Sequence, residues 1–193
     1  MIPLGRVVRL QVQAAPLKSG EKPNRVYGIA AIVEVERLLL TPTGAVGVDR
    51  AGARILDVHN TAHPATRYTD GNTVSFGLTS HYARMRERFG SHMVDGCAGE
   101  NILVETDAPL HLTDLGARVG LRSAKGGEIL EFSTICVALP CVEFSKFAIR
   151  NQAATPAQLK PVLQFLDEGT RGFYVTAAQE GAVTVGDELV ALS

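Results

Sequence analysis

Short apolar runs rich in β-branched residues recur along the chain and are separated by turn-forming residues. Turn signals such as Thr41-Pro42-Thr43-Gly44 and Lys125-Gly126-Gly127 lie between them. Many short strands joined by tight turns are typical of antiparallel barrels and sandwiches, whereas a parallel sheet needs alternating helices that this pattern lacks. We therefore expect a mostly-β fold. The predicted strands lie within residues 7–12, 26–35, 53–58, 102–104, 117–121, 129–137, 173–177 and 182–192.

Two segments carry the signals of helices. They are Ser80–Phe89 and Pro156–Asp167, each followed closely by a glycine that can end a helix. Thr155 precedes the second segment and Gln158 follows three residues later, which is the spacing of a capping box with proline at the first helical position. One face of this helix is apolar, so we expect it to pack as a lid over one end of the sheet.

The C-terminal stretch has the clearest local pattern. Phe173–Ala177 and Val183–Val185 flank the loop Gln179–Gly181, whose glycine suits a tight reversal. This pattern predicts a hairpin. Gly186-Asp187 then provides a second turn, and we expect Glu188–Leu192 to be the strand that closes the sheet.

Composition narrows the classes of partner. The 193 residues are 46% hydrophobic and contain no run close to the ~20 apolar residues of a membrane span, which predicts a single globular domain over residues 1–193. The N-terminal residues lack the pattern of a secretion signal, so we expect a cytoplasmic protein. Nineteen basic and twenty acidic residues give a net charge of −1. We expect neither a nucleic acid nor a membrane as a partner, and an anionic ligand must be bound by a local cluster of basic residues.

The three cysteines have neither the C-x-x-C spacing nor the four-ligand spacing of a structural zinc site, which favours reduced thiols. Cys136 lies inside an apolar strand and is expected to be a small buried side chain. Cys97 precedes a glycine-rich corner, and the sequence leaves both a structural and a functional role open for it. Cys141 follows a proline and should lie at a loop mouth, where Lys146 and Arg150 could favour its thiolate. From the residues alone, burial and function are equally open for Cys141.

Four motifs in a fixed order resemble the MOSC domain, the module named after the C-terminal part of molybdenum cofactor sulfurase. The motifs are Gly99–Glu105, Pro140-Cys141, Gly172–Val175 and Glu180–Asp187. The resemblance covers the chain from about Val46 onward and looks like the free-standing, single-domain form. It implies a MOSC-type β-barrel of antiparallel or mixed strands with a few short helices. It also implies that the protein binds molybdenum cofactor (molybdopterin), with Cys141 as the metal ligand.

The resemblance also suggests which residues hold the cofactor. Gly99 suits a corner with positive φ or close backbone approach. Glu100 and Asn101 beside it could bind the pterin ring, or they could simply tie down the turn before the next strand. The phosphate of the cofactor calls for arginine, and Arg67 and Arg171 are the candidates.

Two function classes follow. The first is an oxidoreductase that reduces N-hydroxylated or N-oxygenated small-molecule substrates, with Cys141 on the metal and an external electron-donor protein. In it, His59 serves as a catalytic proton donor or orients the ligand, although it could also be an ordinary hydrogen-bonded loop histidine. The second is a non-redox carrier, in which Cys141 accepts a persulfide or the cofactor from a sulfur-donor protein. Hydrolysis by Cys141 and His59 is a weaker third reading, because no oxyanion device or orienting residue is evident.

Overall fold

The computed structural model describes residues 1–69 and 71–192. Its helices are α1 (Thr79–Phe89), α2 (Val142–Ala148) and α3 (Pro156–Leu166), with a short 3-10 helix at Leu112–Leu115. The first strands are β1 (Ile2–Gln13), β2 (Lys18–Ser19), β3 (Val26–Tyr27), β4 (Ile32–Glu34), β5 (Arg37–Thr41), β6 (Gly44–Val48) and β7 (Arg54–Leu56). They are followed by β8 (Val74–Leu78), β9 (Ile102–Glu105), β10 (Arg118–Arg122), β11 (Ile129–Val137), β12 (Phe173–Ala177), β13 (Gly181–Thr184) and β14 (Glu188–Leu192).

Seven strands form a sheet that closes on itself. Their order is β14, β10, β11, β12, β8, β9 and β1, and β1 then pairs with β14, with Ile2 opposite Ala191. The pairings are antiparallel except for β8 with β9, which is parallel. The mostly-β fold with mixed strand directions is thus confirmed. The prediction that residues 188–192 close the sheet is confirmed as well.

The predicted hairpin of β12 and β13 is wrong. Strand β12 pairs with β11 and β8 inside the ring, so both of its edges are occupied. Strand β13 instead joins β5, with Gly181 opposite Leu40, in a separate sheet of order β13, β5, β6 and β7. The turn residues predicted the change in chain direction after β12 but not the strand with which β13 pairs. Val183 is drawn to β5 because its side chain joins Leu38 and Leu40 in the same buried core.

The apolar side chains form two clusters. The first is the core of the ring and the four-stranded sheet and includes Phe76, Phe173 and Leu189. The second joins the three helices to the β2–β3 hairpin and includes Tyr27 and Phe144. The second cluster lies outside the ring, and it is the platform on which the candidate site is built.

The predicted helices are confirmed to within one residue at each end. The Thr155–Gln158 capping box is present in both directions, which explains why the start of α3 is readable from the sequence. The apolar side of α3 packs toward α2 and the second cluster through Val162 and Leu166. Helix α2 was not anticipated, because its seven residues are too few to show a helical period. No helix of the described chain has both the length and the apolar character needed to cross a bilayer.

The expectation that Cys136 is buried is wrong. Its side chain is exposed, whereas Cys97 is buried at 1% exposure. The reason is the two-residue period of a strand, which places alternate side chains of β11 on opposite faces of the sheet. Ile135 and Val137 pack against the ring core, so Cys136 between them lies on the outer face, where it is paired with Tyr174.

His81 is a fully buried imidazole on α1. It is 1% exposed and packs against the ring of Phe173, with 6.4 Å between the ring centroids. Burial lowers the pKa of His81 to about 4, and the nearby charges of Arg84 and His111 act in the same direction. The native state therefore holds this histidine neutral.

We expect His81 to make stability depend on pH. Its folded pKa of about 4 lies below the ordinary value of 6.5. As the pH falls, the unfolded chain therefore binds the proton before the native state does. The stability that neutral His81 contributes is fully present above pH 6.5 and is lost as the pH falls through 4. The shift corresponds to roughly 3 kcal/mol. Urea denaturation of wild type and His81→Gln across this window should show a smaller rise of stability with pH in the variant. His92→Gln, at a half-buried histidine, should keep the wild-type slope, and an unchanged slope in His81→Gln would contradict the assignment.

Candidate active site

A basic cavity lies outside the ring, between the β2–β3 hairpin, the loop after β7 and the start of β12. Its volume is about 210 Å³. The lining contains five side chains that can carry positive charge and, among the described residues, no carboxylate. The basic residues are Lys18, Arg25, His59, Arg67 and Arg171, and the other lining residues are Gln13, Pro16, Leu17, Tyr27, Val58 and Tyr174. Such a cavity favours an anionic ligand even though the whole chain is close to neutral.

The corner at Gly99 contacts Gln13 and Leu17, which line this cavity. Gly99 has a φ of +85°, and a Cβ there would lie 2.6 Å from the Leu17 side chain and 2.7 Å from Gln13 Nε2. Gln13 Nε2 donates to Gly99 O at 2.6 Å. Both reasons for a glycine, positive φ and close approach, are therefore present. The corner also lines a small cleft of about 10 Å³, which shares Gln13, Arg171 and Tyr174 with the basic cavity.

Glu100 is a buried acid in the wall of the small cleft. It is 4% exposed, and its Oε2 accepts a hydrogen bond of 2.9 Å from Tyr82 Oη. Burial raises the pKa of Glu100 to about 7, against the lowering effects of Tyr82 and Arg171. Gly77 leaves room for the carboxyl group, because a Cβ at this position would lie 2.7 Å from Glu100 Oε1.

Asn101 makes buried hydrogen bonds within the fold and does not line the cavity. Its Oδ1 accepts from Ser75 N at 3.0 Å, and its Nδ2 donates to Asp57 Oδ2 at 2.9 Å. The side chain is 1% exposed, and it lines neither the basic cavity nor the small cleft. Of the two readings of this residue, these contacts favour the one in which it ties down the turn before β9.

Asp57 is a site residue that the sequence reasoning missed. Its carboxylate is fully buried and accepts four hydrogen bonds of 2.8–2.9 Å. Oδ2 binds Gln13 N and Asn101 Nδ2, while Oδ1 binds both the backbone N and the ring Nδ1 of His59. The two-residue spacing from Asp57 to His59 was the available signal, since aspartate commonly binds the backbone two residues on.

His59 lines the basic cavity with its ring held in place. Because Nδ1 bonds to Asp57 Oδ1 at 2.9 Å, Nε2 is the ring nitrogen left to meet a ligand. A buried carboxylate behind a histidine fixes the orientation of the ring. The ring of His59 is therefore held in one orientation in the cavity wall.

Arg171 lies between the basic cavity and the small cleft. Its Nη1 donates to Leu139 O at 3.4 Å and to Tyr174 Oη at 3.3 Å, and its Nη2 donates to Ala98 O at 3.4 Å. Burial acts to lower the pKa of Arg171, but Tyr174, Tyr27 and Cys141 hold it above its ordinary value. The guanidinium therefore keeps its charge.

Cys141 is half-buried and caps the start of α2. Its Sγ accepts from Phe144 N at 3.5 Å, and the side chain packs against the second apolar cluster. It is close enough to Arg171 and Tyr27 to influence the pKa of both residues. These two residues line the basic cavity, whereas Cys141 itself is not in its described wall. The thiol therefore lies near two residues of the cavity wall.

Arg67 lies in the wall of the basic cavity. Its backbone N donates to Val58 O at 2.7 Å, which folds the loop after His59 back onto the site. Lys18 and Arg25 on the β2–β3 hairpin were not anticipated. Their only signal was basic character in a segment rich in turn residues, which is too common to be specific.

The described residues contain no group of three or more His, Cys, Asp or Glu side chains placed to hold a metal ion. A metal at this site would need most of its ligands from elsewhere, with at most one thiolate from Cys141 nearby. A metal that arrives already held by an organic cofactor meets this condition.

The sequence matches the model of a known protein family. The sequence pattern described as MOSC domain matches residues 65–190, a range that includes Arg67, Glu100, Cys141 and Arg171. Asp57 and His59 lie just before it. No curated protein matches the chain.

The chain is similar to several solved structures. The YuaD protein from Bacillus subtilis is 15% identical with a TM-score of 0.51, and the match covers 96% of this chain and 97% of that one. YiiM from Geobacillus stearothermophilus is 18% identical with a TM-score of 0.53, covering 97% and 75%. A hypothetical protein is 14% identical with a TM-score of 0.57, covering 98% and 68%. At these identities the likeness shows the fold alone.

We expect Asp57→Asn to destabilise the protein by about 2–4 kcal/mol. An amide in place of the carboxylate presents an NH₂ group to donors that need an acceptor, inside a fully buried network. Urea denaturation measures the change. Asp49→Asn is the matched control, because Asp49 also accepts a backbone hydrogen bond, from Ala53 N at 2.8 Å, but is only half-buried. Equal losses in the two variants would argue against a special role for the Asp57 network.

Proposed function

Because the chain belongs to the MOSC domain family, we propose that it binds molybdenum cofactor and reduces N-hydroxylated or N-oxygenated small molecules. The observation that carries the proposal is the basic cavity of about 210 Å³ beside a half-buried thiol. Phosphate on the cofactor needs fixed cationic donors, and the metal accepts a soft sulfur ligand. Both requirements are met within one part of the surface.

The cavity suits the phosphate-bearing part of the cofactor. Its volume of about 210 Å³ is below the 300–1,000 Å³ typical of pockets for drug-sized ligands, so the rest of the cofactor would extend toward the opening. Arg67 and Arg25 offer planar, bidentate donors, and Lys18 adds a point charge. Lys18 is already near Glu143 Oε2, at 3.8 Å, which leaves the two arginines as the stronger candidates.

Cys141 suits the role of the single protein ligand. A thiolate is the donor that a soft metal prefers, and it would complete a coordination sphere supplied mainly by the cofactor. The hydrogen bond from Phe144 N to Sγ and the packing against the second apolar cluster hold the side chain in one orientation. A thiolate at Cys141 would lie near the cationic side chain of Arg171.

When bound, the cofactor supplies a two-electron metal centre for removal of an oxygen atom. The chain supplies binding and protons. His59, oriented by Asp57, lines the cavity and would give a proton from Nε2. An external electron-donor protein would deliver the electrons, as this proposal requires a redox partner.

A non-redox carrier is the second candidate. The half-buried Cys141 thiol beside a basic cavity would also suit a persulfide or cofactor that is passed on to another protein, after transfer from a sulfur-donor protein. Proton donation is unnecessary for this role. His59→Gln should therefore impair reduction strongly and leave sulfur or cofactor transfer nearly unchanged.

Exchange of Cys141 for serine tests the metal ligand. We expect Cys141→Ser to lose reductase activity and to retain less molybdenum per chain, because a hydroxyl is a poor ligand for a soft metal. Elemental analysis and pterin fluorescence of the purified proteins measure the content. Cys136→Ser, at the exposed cysteine of β11, should match wild type in both measurements. Equal metal and pterin in wild type and Cys141→Ser would defeat the assignment.

Exchange of Arg67 for glutamine tests the phosphate site. Loss of a charge-assisted contact worth about 1.5–3 kcal/mol should weaken cofactor binding by roughly 10-fold to 100-fold. Equilibrium binding of the pterin to cofactor-free protein, followed by fluorescence, is the measurement. Arg54→Gln is the control, since Arg54 is an exposed arginine of β7 that is not in the described cavity lining. If both variants bind equally well, Arg67 does not hold the phosphate.

A further inference from the structure

Two buried polar atoms near the Gly99 corner have no hydrogen-bond partner among the described residues. They are Glu100 Oε1 and Arg171 Nε. The other polar atoms of these side chains are bound, since Tyr82 Oη donates to Glu100 Oε2 and the Arg171 Nη atoms donate to backbone and Tyr174 oxygens. A buried polar atom left unpaired costs about 1–3 kcal/mol, so the two atoms together mark a place that is built to meet a polar group.

Both residues line the same small cleft. Its volume of about 10 Å³ is the space of one water-sized group. Because Gln13, Arg171 and Tyr174 line both the cleft and the basic cavity, a ligand in the cavity can place one atom into the cleft. The cleft is too small for a ring or a phosphate group.

The unpaired Arg171 Nε can only donate a hydrogen bond. At neutral pH, Glu100 can donate as well, because burial raises its pKa to about 7 and Oε2 already accepts from Tyr82, which leaves Oε1 to carry the proton. Several groups face Glu100 and tune this balance. They are Tyr82 from α1, Arg9 from β1, Tyr27 from β3, Cys97 from the loop before the corner, and Arg171.

We propose that the cleft between Glu100 and Arg171 is a subsite for a single oxygen atom of a ligand, held by the carboxylic acid of Glu100 and the Nε–H of Arg171 as two donors. The ligand class is one with an acceptor oxygen, either an oxyanion or an N-hydroxylated compound. Binding of an oxyanion requires Glu100 to keep its proton, because a carboxylate would present a second acceptor and a like charge.

In the reaction, the subsite receives the oxygen that leaves; this step rests on the proposed function. The balance is R–NH–OH plus two electrons and two protons giving R–NH₂ and water. The N–O bond breaks, the external electron-donor protein supplies the electrons, Glu100 gives one proton to the departing oxygen and His59 supplies the other. Glu100 then regains its proton from solvent through the basic cavity.

Sulfate binding tests the subsite without the cofactor. Because His59 lines the same cavity and can also bind a proton, the comparison is made in the His59→Gln background. With Glu100 present, the affinity for sulfate should fall roughly tenfold from about pH 6 to about pH 8, as the ionised acid rejects the oxyanion. Calorimetry in two buffers with different ionisation heats should show uptake of a proton on binding at the higher pH.

Glu100→Gln keeps the size of the side chain and offers a permanent donor. In this variant sulfate should bind without the fall in affinity and without proton uptake. Glu105→Gln, at an exposed glutamate of β9, should behave like the parent protein. A fall with pH that persists in Glu100→Gln, or no fall in the parent, overturns the subsite. The proposed function fails separately, through the cofactor content of Cys141→Ser.

A direct titration does not depend on any variant that might fold poorly. Carbon NMR of wild type labelled at the glutamate carboxyl groups should show one resonance that titrates near pH 7, in line with the value of about 7 for Glu100. Gly77→Ala, whose Cβ would lie 2.7 Å from Glu100 Oε1, should shift this resonance and weaken sulfate binding. If every glutamate carboxyl group titrates in the ordinary acidic range, Glu100 is not the donor.

Discussion

The guanidinium of Arg171 is the interaction on which the site depends. It bonds to the carbonyl oxygens of Leu139 and Ala98, which belong to the Cys141 loop and the Gly99 corner, and it lies over the ring of Phe144 at 5.6 Å from the centroid. Two loops that are distant in sequence are thus attached to one cation. Gly172 beside it must be glycine, because a Cβ there would lie 2.7 Å from Phe76 O. Without a Cβ at Gly172, the backbone next to Arg171 can lie close to Phe76 of β8.

A second buried charge fixes the opposite wall of the cavity. Asp57 accepts from the end of β1, from Asn101 before β9 and from His59, so one carboxylate sets the relative positions of three segments. Such a charge is tolerated in the interior because each oxygen accepts two hydrogen bonds. Arg171 lines the cavity directly, whereas Asp57 is connected to the cavity through His59.

The polar groups of the site differ in their exposure to solvent. The basic side chains of the open cavity favour an anionic ligand, whereas burial raises the pKa of Glu100 in the closed cleft. A charged binding region and a proton-carrying region can therefore lie side by side. The separation comes from differences in solvent access within a few residues of Gly99, rather than from differences in residue type.

Local signals in the sequence determined the strand-rich character, the capping box of α3, the glycine at the Gly99 corner and the order of motifs that resembles the MOSC domain. Each of these depends on residues close together in the chain, where turn geometry and side-chain period act directly. The partner of β13, the exposure of Cys136, and the convergence of Lys18, Arg25, Asp57 and Arg171 were decided only by the tertiary structure. Closing the ring brings these segments together, because strand pairing and burial depend on neighbours that are far apart in sequence.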